Sequence, residues 1–358
     1  MKRLLTAAAV ISAALFATGC AKNIATGPNE ANKRYLDAWL QVNNVNVSPT
    51  GLGIYILEDT DGTGIEVEKD GFVLLDYTIT DLEGNISSYT SAATAQQLGK
   101  YSESDYYGPK FNNTFSGNIY AGVAEMLIGM KAGGHRKAII PGWLMSYDEF
   151  DNESDYLAQA STQSTVVYEV DVKDFTKDIS KWEIDSIGRF FSSDVLIDGI
   201  PAKQLFTTAS GNVMTAADSV DTGFYYKQLS APSDTTSFPI DTTIFINYTG
   251  MTLDGRVFDT TIEDVAKDYG IYSSGRTYEP VQINWPSAEE DYTSITMGTG
   301  ETSLINGFNL TLWQMKANEK GIGVFYSALG YANSGSGNSI PSYSPLIFKI
   351  EIVAKPED

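Results

Sequence analysis

The two halves of the sequence resemble each other, and this internal repeat constrains the fold more than any other feature of the 358 residues. Asp-Tyr-Thr at 76–78 recurs as Asn-Tyr-Thr at 247–249. The apolar segment 122–130 recurs at 307–315, and Lys-Ala follows it in both places. Self-similarity over such a span indicates two copies of one domain. The landmarks are spaced more widely in the second half, which places an insertion at about 261–294.

Each half has the pattern of an antiparallel sheet with one short helix. Most segments are short, rich in β-branched and aromatic residues, and separated by Gly or Asp-Gly turns, which is typical of strands. Residues 165–172 and 346–353 alternate apolar with polar side chains, whereas 123–130 and 308–315 have helical spacing. The predicted fold class is α+β, with each domain an antiparallel β-sheet wrapped around a short α-helix.

Two amphipathic helices are predicted before the halves, at 29–42 and 179–191. The sequence leaves open whether they pack on their domains, connect the domains or form a homodimer. The predicted organisation is a leader at 1–20, a tether and helix at 21–48, a first domain at 49–176, a helical linker at 177–215 and a second domain at 216–358.

Charge and composition exclude several classes of function. The chain has 24 Lys and Arg against 45 Asp and Glu, for a net charge of -21. Such a chain is not expected to bind nucleic acid or an anionic lipid surface through charge. His135 is the single histidine, which leaves little room for histidine acid-base catalysis or a His-rich zinc site. We expect no metal and no cofactor.

The first 20 residues have the pattern of an export signal. Lys2 and Arg3 precede an apolar run that ends at Phe16, and the chain's only cysteine follows at Cys20. The pattern resembles a bacterial lipoprotein signal, which implies cleavage before Cys20 and a lipid on its thiol. The expected location is the cell envelope, with the protein anchored to a membrane on its periplasmic side or at the cell surface.

Aromatic residues of the second half gather at turns and strand ends, together with one carboxylate. They are Tyr248, Phe258, Phe308, Tyr331 and Phe348, with Asp259. Considered one by one, these aromatic residues are most simply explained as core packing. Their local motifs are more specific, and they run in order as Tyr248-Thr249-Gly250, Phe258-Asp259, Leu304-Ile305-Asn306-Gly307-Phe308, Leu329-Gly330-Tyr331 and Pro345-Leu346-Ile347-Phe348.

This series, from residue 222 to 354, resembles the FKBP family of peptidyl-prolyl isomerases. The resemblance implies a proline pocket lined by Tyr248, Phe258, Asp259, Leu304, Ile305, Phe308, Tyr331 and Phe348, with Tyr292 the nearest candidate for one further aromatic. It also implies that the backbone N–H of Ile305 and the hydroxyl of Tyr331 bind the substrate carbonyl, while Asp259 orients its neighbours. Phe308 stands where the family most often has tryptophan, and Ala332 where glycine commonly follows the loop tyrosine.

The first half looks like the same family in a degenerate form. Tyr77 and Tyr168 keep pocket positions, but Ser87 and Ser88 replace the Phe-Asp pair and Val123 replaces Phe308. The expected first domain therefore folds like the second, isomerises poorly, and binds clients or acts as a spacer.

The sequence thus predicts a lipid-anchored isomerase that assists the folding of exported proteins and acts on proline-containing polypeptides. One alternative is a non-catalytic chaperone or peptide-binding lipoprotein of the same fold. The other is a surface lipoprotein that binds a glycan or another ligand, since the chain contains many tyrosines and tryptophans.

Overall fold

The computed structural model describes residues 27–233, 235–286 and 291–356. The predicted leader at 1–20, with Cys20, lies outside the described residues. Within those ranges, no helix is both long enough and apolar enough to cross a membrane.

The first half forms an antiparallel sheet of six strands with four helices. The strands are β1 Tyr55–Thr60, β2 Phe72–Thr80, β3 Ile86–Tyr89, β4 Lys110–Asn113, β5 His135–Ile140 and β6 Val166–Thr176. The helices are α1 Glu30–Val42, α2 Ala92–Gln97, α3 Ala121–Leu127 and α4 Glu153–Gln159. The strand order is β1-β5-β6-β2-β3, and β4 also pairs with β2.

Helices α1 and α3 both contribute to the core of this first sheet. Val123, Met126 and Leu127 of α3 are buried in one cluster with strand residues of β5 and β6. Leu36 and Leu40 of α1 join the same cluster, so the apolar face of this helix is buried against its own domain. Burial of apolar surface is the main favourable term in such packing.

The second half forms an eight-stranded sheet and a separate two-stranded hairpin. The hairpin strands are β7 Leu196–Ile197 and β8 Ile200–Pro201. The sheet strands are β9 Phe224–Ser230, β10 Thr243–Thr252, β11 Val257–Thr260, β12 Val281–Asn284, β13 Thr296–Met297, β14 Thr302–Ser303, β15 Lys320–Phe325 and β16 Leu346–Val353. Their order is β14-β13-β12-β10-β16-β15-β9, and β11 pairs with β10. The helices are α5 Ile179–Phe191, α6 Ala202–Leu205, α7 Glu263–Asp268 and α8 Asn306–Gln314.

The second sheet is covered by a helix on each face. Phe348 on β16 belongs to the cluster that contains α8, while the adjacent Ile347 belongs to the cluster that contains α5. Successive side chains of a strand point to opposite faces, so α5 lies on the face opposite α8. Ile187, Phe190 and Phe191 of α5 are buried there. The linker helix is therefore packed onto the second sheet.

The α+β prediction is confirmed: both halves are antiparallel sheets with few helices. The helix predicted at 179–191 and the strand predicted at 346–353 have the observed bounds. The two short helices start two residues earlier than predicted, and they end at Leu127 and Gln314. The inserted segment 261–294 contains α7, β12 and the 3-10 turn Tyr292–Ser294. The predicted domain limits stay a prediction.

Candidate functional site

The candidate site is built on an irregularity between β10 and β11. Gly250 lies opposite Asp259, but the next residue, Met251, lies opposite Val257, so Phe258 is an extra residue on β11. A β-bulge of this kind changes the direction in which a side chain points and is common beside functional sites. Here it brings Phe258 and Asp259 to the pocket together.

Gly250 makes room for the two phenylalanines that form one wall. The rings of Phe258 and Phe348 pack edge to face, with centroids 5.7 Å apart. A Cβ added at Gly250 would lie 2.7 Å from the Phe258 ring and 2.9 Å from the Phe348 ring. Such distances are below van der Waals contact, so this wall requires glycine at position 250.

The rest of the aromatic wall comes from α8 and the central strands. Phe308 on α8 packs edge to face against Phe348, at 4.9 Å between centroids, and against Tyr248, at 5.5 Å. Edge-to-face packing is the arrangement that aromatic quadrupoles favour. Phe308 is almost fully buried, and its ring therefore lies at the base of the cluster.

Asp259 is held between a phenol and a guanidinium group. The Tyr248 hydroxyl donates a hydrogen bond of 2.6 Å to Oδ2 of Asp259, and Nη1 of Arg276 forms an ion pair with Oδ1. Burial raises the pKa of Tyr248, and the negative charge of Asp259 raises it further. Tyr248 therefore stays protonated, and the carboxylate is fixed in orientation by both neighbours.

Two hydrogen-bond donors face this region. Ile305 caps the N-terminus of α8, and its carbonyl accepts from Phe308 and Asn309. Its own N–H has no hydrogen-bond partner among the described residues. Tyr331 is half-buried, and burial raises the pKa of its hydroxyl. The negative charge of Asp259 raises this pKa further, because the hydroxyl lies in the field of the carboxylate.

The structure brings all the predicted site residues of the second half together. Tyr248, Phe308 and Phe348 are core members of one cluster; Phe258, Tyr292, Leu304, Ile305 and Tyr331 pack against it, and Asp259 is tied to it through Tyr248. The arrangement combines an apolar aromatic surface, a fixed carboxylate and two donors. It is suited to binding an uncharged group that carries an acceptor.

Strand registers place the first-half residues where the sequence comparison expects them. Ile79 lies opposite both Ser88 and Tyr168, as Gly250 lies opposite Asp259 and Phe348. Ser87 is the extra residue of the corresponding bulge. The first half thus keeps the bulge but lacks the Phe-Asp pair, and Ile79 fills the space that Gly250 leaves open.

A cavity of about 310 Å³ lies at this position in the first half. Four tyrosines and one valine of the first half line it, and three residues of the second half close it from one side: Tyr77, Tyr120, Tyr147, Tyr168 and Val123, with Asn333, Ser342 and Tyr343. Burial, and then the nearby phenols of the other three tyrosines, raise the pKa of Tyr168 to about 12. The four phenols therefore lie close to one another around this cavity.

Sequence reasoning missed two contributors to the second-half site. Arg276 lies in the inserted segment, where no repeat spacing or motif singles out one cation. The motif Tyr-Thr-Gly contains Gly250, but the need for glycine follows only from the ring positions of Phe258 and Phe348. The available signal was a glycine inside a run of apolar and β-branched residues, since such a glycine often marks a bulge or a close approach.

Comparison with protein families and solved structures gives the following matches. The model of FKBP-type peptidyl-prolyl cis-trans isomerases matches residues 281–353, which include Tyr292, Leu304, Ile305, Phe308, Tyr331 and Phe348. No curated protein matches the chain.

Three solved structures are similar at low TM-score. The three FKBP domains of wheat FKBP73 share 15% identity over 86% of this chain and 96% of that one, with a TM-score of 0.28. FkpA from Escherichia coli shares 23% identity over 41% of this chain and 59% of that one, with a TM-score of 0.26. A peptidyl-prolyl cis-trans isomerase from Pseudomonas syringae pv. tomato shares 17% identity over 50% of this chain and 97% of that one, with a TM-score of 0.29.

The family assignment rests on the match of residues 281–353, which contain α8, the loop of Tyr331 and strand β16. These are the elements that complete the second sheet and its aromatic cluster. Residues 281–353 of the C-terminal domain therefore belong to the family of FKBP-type peptidyl-prolyl cis-trans isomerases.

Proposed function

We propose that the C-terminal domain catalyses cis-trans isomerisation of X-Pro bonds in polypeptides. The observation that carries this proposal is the aromatic wall of Phe258, Phe308 and Phe348 beside an Asp259 held by Tyr248. This wall lies in a domain whose sequence matches the isomerase family.

Isomerisation of an X-Pro bond depends more on the environment of the amide than on a reactive side chain. Rotation about a peptide bond faces a barrier of about 18–20 kcal/mol that arises from amide resonance. The twisted amide has less charge separation than the planar one, so an apolar wall that excludes water lowers its relative free energy. Both isomers of an X-Pro bond are populated, and no bond has to break.

Hydrogen-bond donors hold the carbonyl of the substrate during this rotation. The N–H of Ile305 has no partner among the described residues and is available to a carbonyl oxygen. The Tyr331 hydroxyl is the second donor. A fixed donor keeps the carbonyl group in place while the C–N bond turns, so that the reacting bond stays oriented in the pocket. Asp259 acts by orienting Tyr248 and Arg276 and takes no part in proton transfer.

The biological setting is part of the same proposal. Cys20 and the signal pattern before it lie outside the described residues and support export and a lipid anchor in the cell envelope. The substrates are then exported proteins that fold near that membrane. A homodimer through α1 and α5 stays a prediction, and the apolar faces of both helices are packed within the chain.

The proposal is tested by isomerisation of a set of X-Pro peptides by the full chain. We expect catalysis, and we expect Phe258→Ala and Asp259→Ala each to lower kcat/KM by about tenfold or more, equal to about 1.4 kcal/mol of transition-state stabilisation. The uncatalysed reaction takes tens to hundreds of seconds, roughly, so weak catalysis is measurable. The matched control is Ser88→Ala, because Ser88 holds the register position of Asp259 in the first half.

Absence of acceleration by the folded chain, whatever residue precedes proline, would contradict the enzyme proposal. A loss of activity in Ser88→Ala equal to that in Asp259→Ala would contradict the assignment of the site to the second half.

A second candidate function is supported by the first-half cavity. This cavity retains the phenols of Tyr77 and Tyr168 but has Val123 at the position of Phe308 and no counterpart of Phe258. Its volume of about 310 Å³ is within the usual range for ligand sites. We propose that the first domain binds polypeptide segments there without useful catalysis.

A further inference from the structure

A buried carboxyl group outside the family match reaches the loop that carries Tyr331. Glu183 lies on α5 and is 1% exposed. Its Oε2 accepts a hydrogen bond of 2.5 Å from the backbone N–H of Ser327, and its Oε1 accepts one of 2.7 Å from the Ser327 hydroxyl. Both carboxyl oxygens of Glu183, on the linker helix, thus accept hydrogen bonds from the same loop residue, Ser327.

Ser327 in turn fixes the backbone on both sides of Tyr331. It begins the 3-10 turn Ser327–Leu329, and its carbonyl accepts hydrogen bonds of 2.8 Å from the N–H groups of Gly330 and Ala332. Glu183 therefore binds Ser327, and Ser327 accepts the hydrogen bonds that set the position of Tyr331.

The backbone of this loop is in an unfavourable conformation that needs support. Ala332 has φ 47° and Tyr343 has φ 58°, both in the left-handed region, and the N–H of Tyr343 donates to the carbonyl of Ala332 at 2.8 Å. Left-handed backbone conformations are unfavourable for non-glycine residues and persist only where the surrounding structure holds them. The hydrogen bonds of Glu183 to Ser327, and of Ser327 to the loop backbone, supply part of this support.

Burial of Glu183 is itself unfavourable. Desolvation raises the pKa of this carboxyl to about 7, although the hydrogen bonds from Ser327 act in the opposite direction. The group forms no ion pair among the described residues. A buried carboxyl without a cation adds little to stability, and what it contributes is the geometry of the loop.

We infer that Glu183 is a positioning residue of the isomerase site, and that it acts by holding Ser327 and thereby Tyr331. The inference rests on the proposed function for its effect on catalysis. It makes the linker helix part of the site, although that helix lies more than 80 residues before the matched segment 281–353.

The first test measures the loop without reference to activity. Amide hydrogen exchange is followed at Ser327, Gly330 and Ala332 in the full chain and in its Glu183→Gln and Glu183→Ala variants. We expect faster exchange at these amides in both variants. The increase should be smaller in Glu183→Gln, because glutamine keeps one acceptor oxygen and the side-chain shape. The matched control is Asp185→Asn, which alters an exposed carboxylate on the same helix.

The second test asks whether the effect passes through Tyr331. We expect Glu183→Gln to lower kcat/KM by roughly three- to tenfold in the wild-type background and by less than about twofold in Tyr331→Ala, since coupled residues give non-additive effects. Glu183→Gln is used here because Glu183→Ala leaves a cavity and is more prone to misfold.

The outcomes are distinguishable. Unchanged exchange at the three amides, or equal effects of Glu183→Gln with and without the Tyr331 side chain, would overturn the inference. If the wild-type chain is inactive, the proposed function is wrong, and the exchange result still decides whether Glu183 holds the loop.

Discussion

At the scale of single residues, the site depends on polar groups that are fixed by their neighbours. Asp259 is held by Tyr248 and Arg276, and Ser327 is held by Glu183. The motifs of the sequence identified Tyr248 and Asp259, because the two lie in short recognisable motifs on β10 and β11. Arg276 and Glu183 could not be predicted, since Arg276 lies in the inserted segment and Ser327, the partner of Glu183, is distant in sequence.

The pKa of Glu183 leads to a prediction about stability and pH. Its pKa is raised from 4.5 to about 7 in the folded state, so between these values the folded chain binds more protons than the unfolded chain. Stability therefore falls as pH rises from about 4.5 to 7, by up to about 3 kcal/mol from this group. Tyr343, the titratable neighbour, has a pKa raised above 10 and stays neutral over this range.

The measurement is the free energy of unfolding at a series of pH values from 5 to 8, roughly, for the wild type and Glu183→Gln. We expect the difference in stability between the two to narrow or change sign as pH rises, because only the wild type loses the contribution of the buried acid. Parallel pH profiles for the two proteins would show that Glu183 is already ionised in the folded state throughout.

At the scale of elements, helix α5 shows both what periodicity predicts and what it leaves open. Its apolar spacing predicted a helix at 179–191, and this helix is present with those bounds. Periodicity does not identify the surface that the apolar face covers. That surface is the second sheet, where Phe190 and Phe191 lie in a cluster with Val324 and Ile347.

This packing predicts where the C-terminal domain begins as a folding unit. A fragment of residues 177–358 should fold, whereas a fragment of residues 215–358 should be unfolded or much less stable. The shorter fragment loses Ile187, Phe190 and Phe191, and truncation of one buried Phe alone costs about 3–5 kcal/mol. A typical domain has only about 5–15 kcal/mol of stability in total.

Circular dichroism during thermal unfolding, with the dispersion of amide NMR signals, compares the two fragments directly. A cooperative transition of the shorter fragment at the same temperature as that of the longer one would contradict the assignment of α5 to this domain.

At the scale of the whole molecule, the two halves meet at the loop of Tyr331. The N–H of Tyr106 in the first half donates to the carbonyl of Asn338 at 2.8 Å. Arg256 of the second half donates to the carbonyl of Ser104 at 3.3 Å. The ring of Tyr343 packs on Phe72, with centroids 5.1 Å apart, and lines the first-half cavity. Residues of the second half thus complete the cavity of the first half.

The first-half cavity leads to a prediction about binding. Val123→Phe places in the cavity the residue type that Phe308 provides in the second half, and should fill it at little cost in stability because space of about 310 Å³ is present. In a chain whose second-half site is weakened by Phe258→Ala, we expect this change to weaken binding of an unfolded proline-containing polypeptide by about tenfold, or about 1.4 kcal/mol.

Binding is measured by calorimetry, with Val42→Phe as the control, because that valine is 79% exposed on α1. Equal affinity of the Val123→Phe and Val42→Phe chains would show that the cavity is not the binding site.

The element types and the repeat can be predicted from the sequence, because apolar periodicity and turn residues act over a few neighbouring positions. It also indicated the residues of the aromatic cluster, since they stand in short motifs. Only the tertiary structure decided that Gly250 must be glycine, that Glu183 reaches Ser327 and that Tyr343 closes the cavity of the first half. These are contacts between residues far apart in the chain, and the packing of complete elements determines which side chains meet.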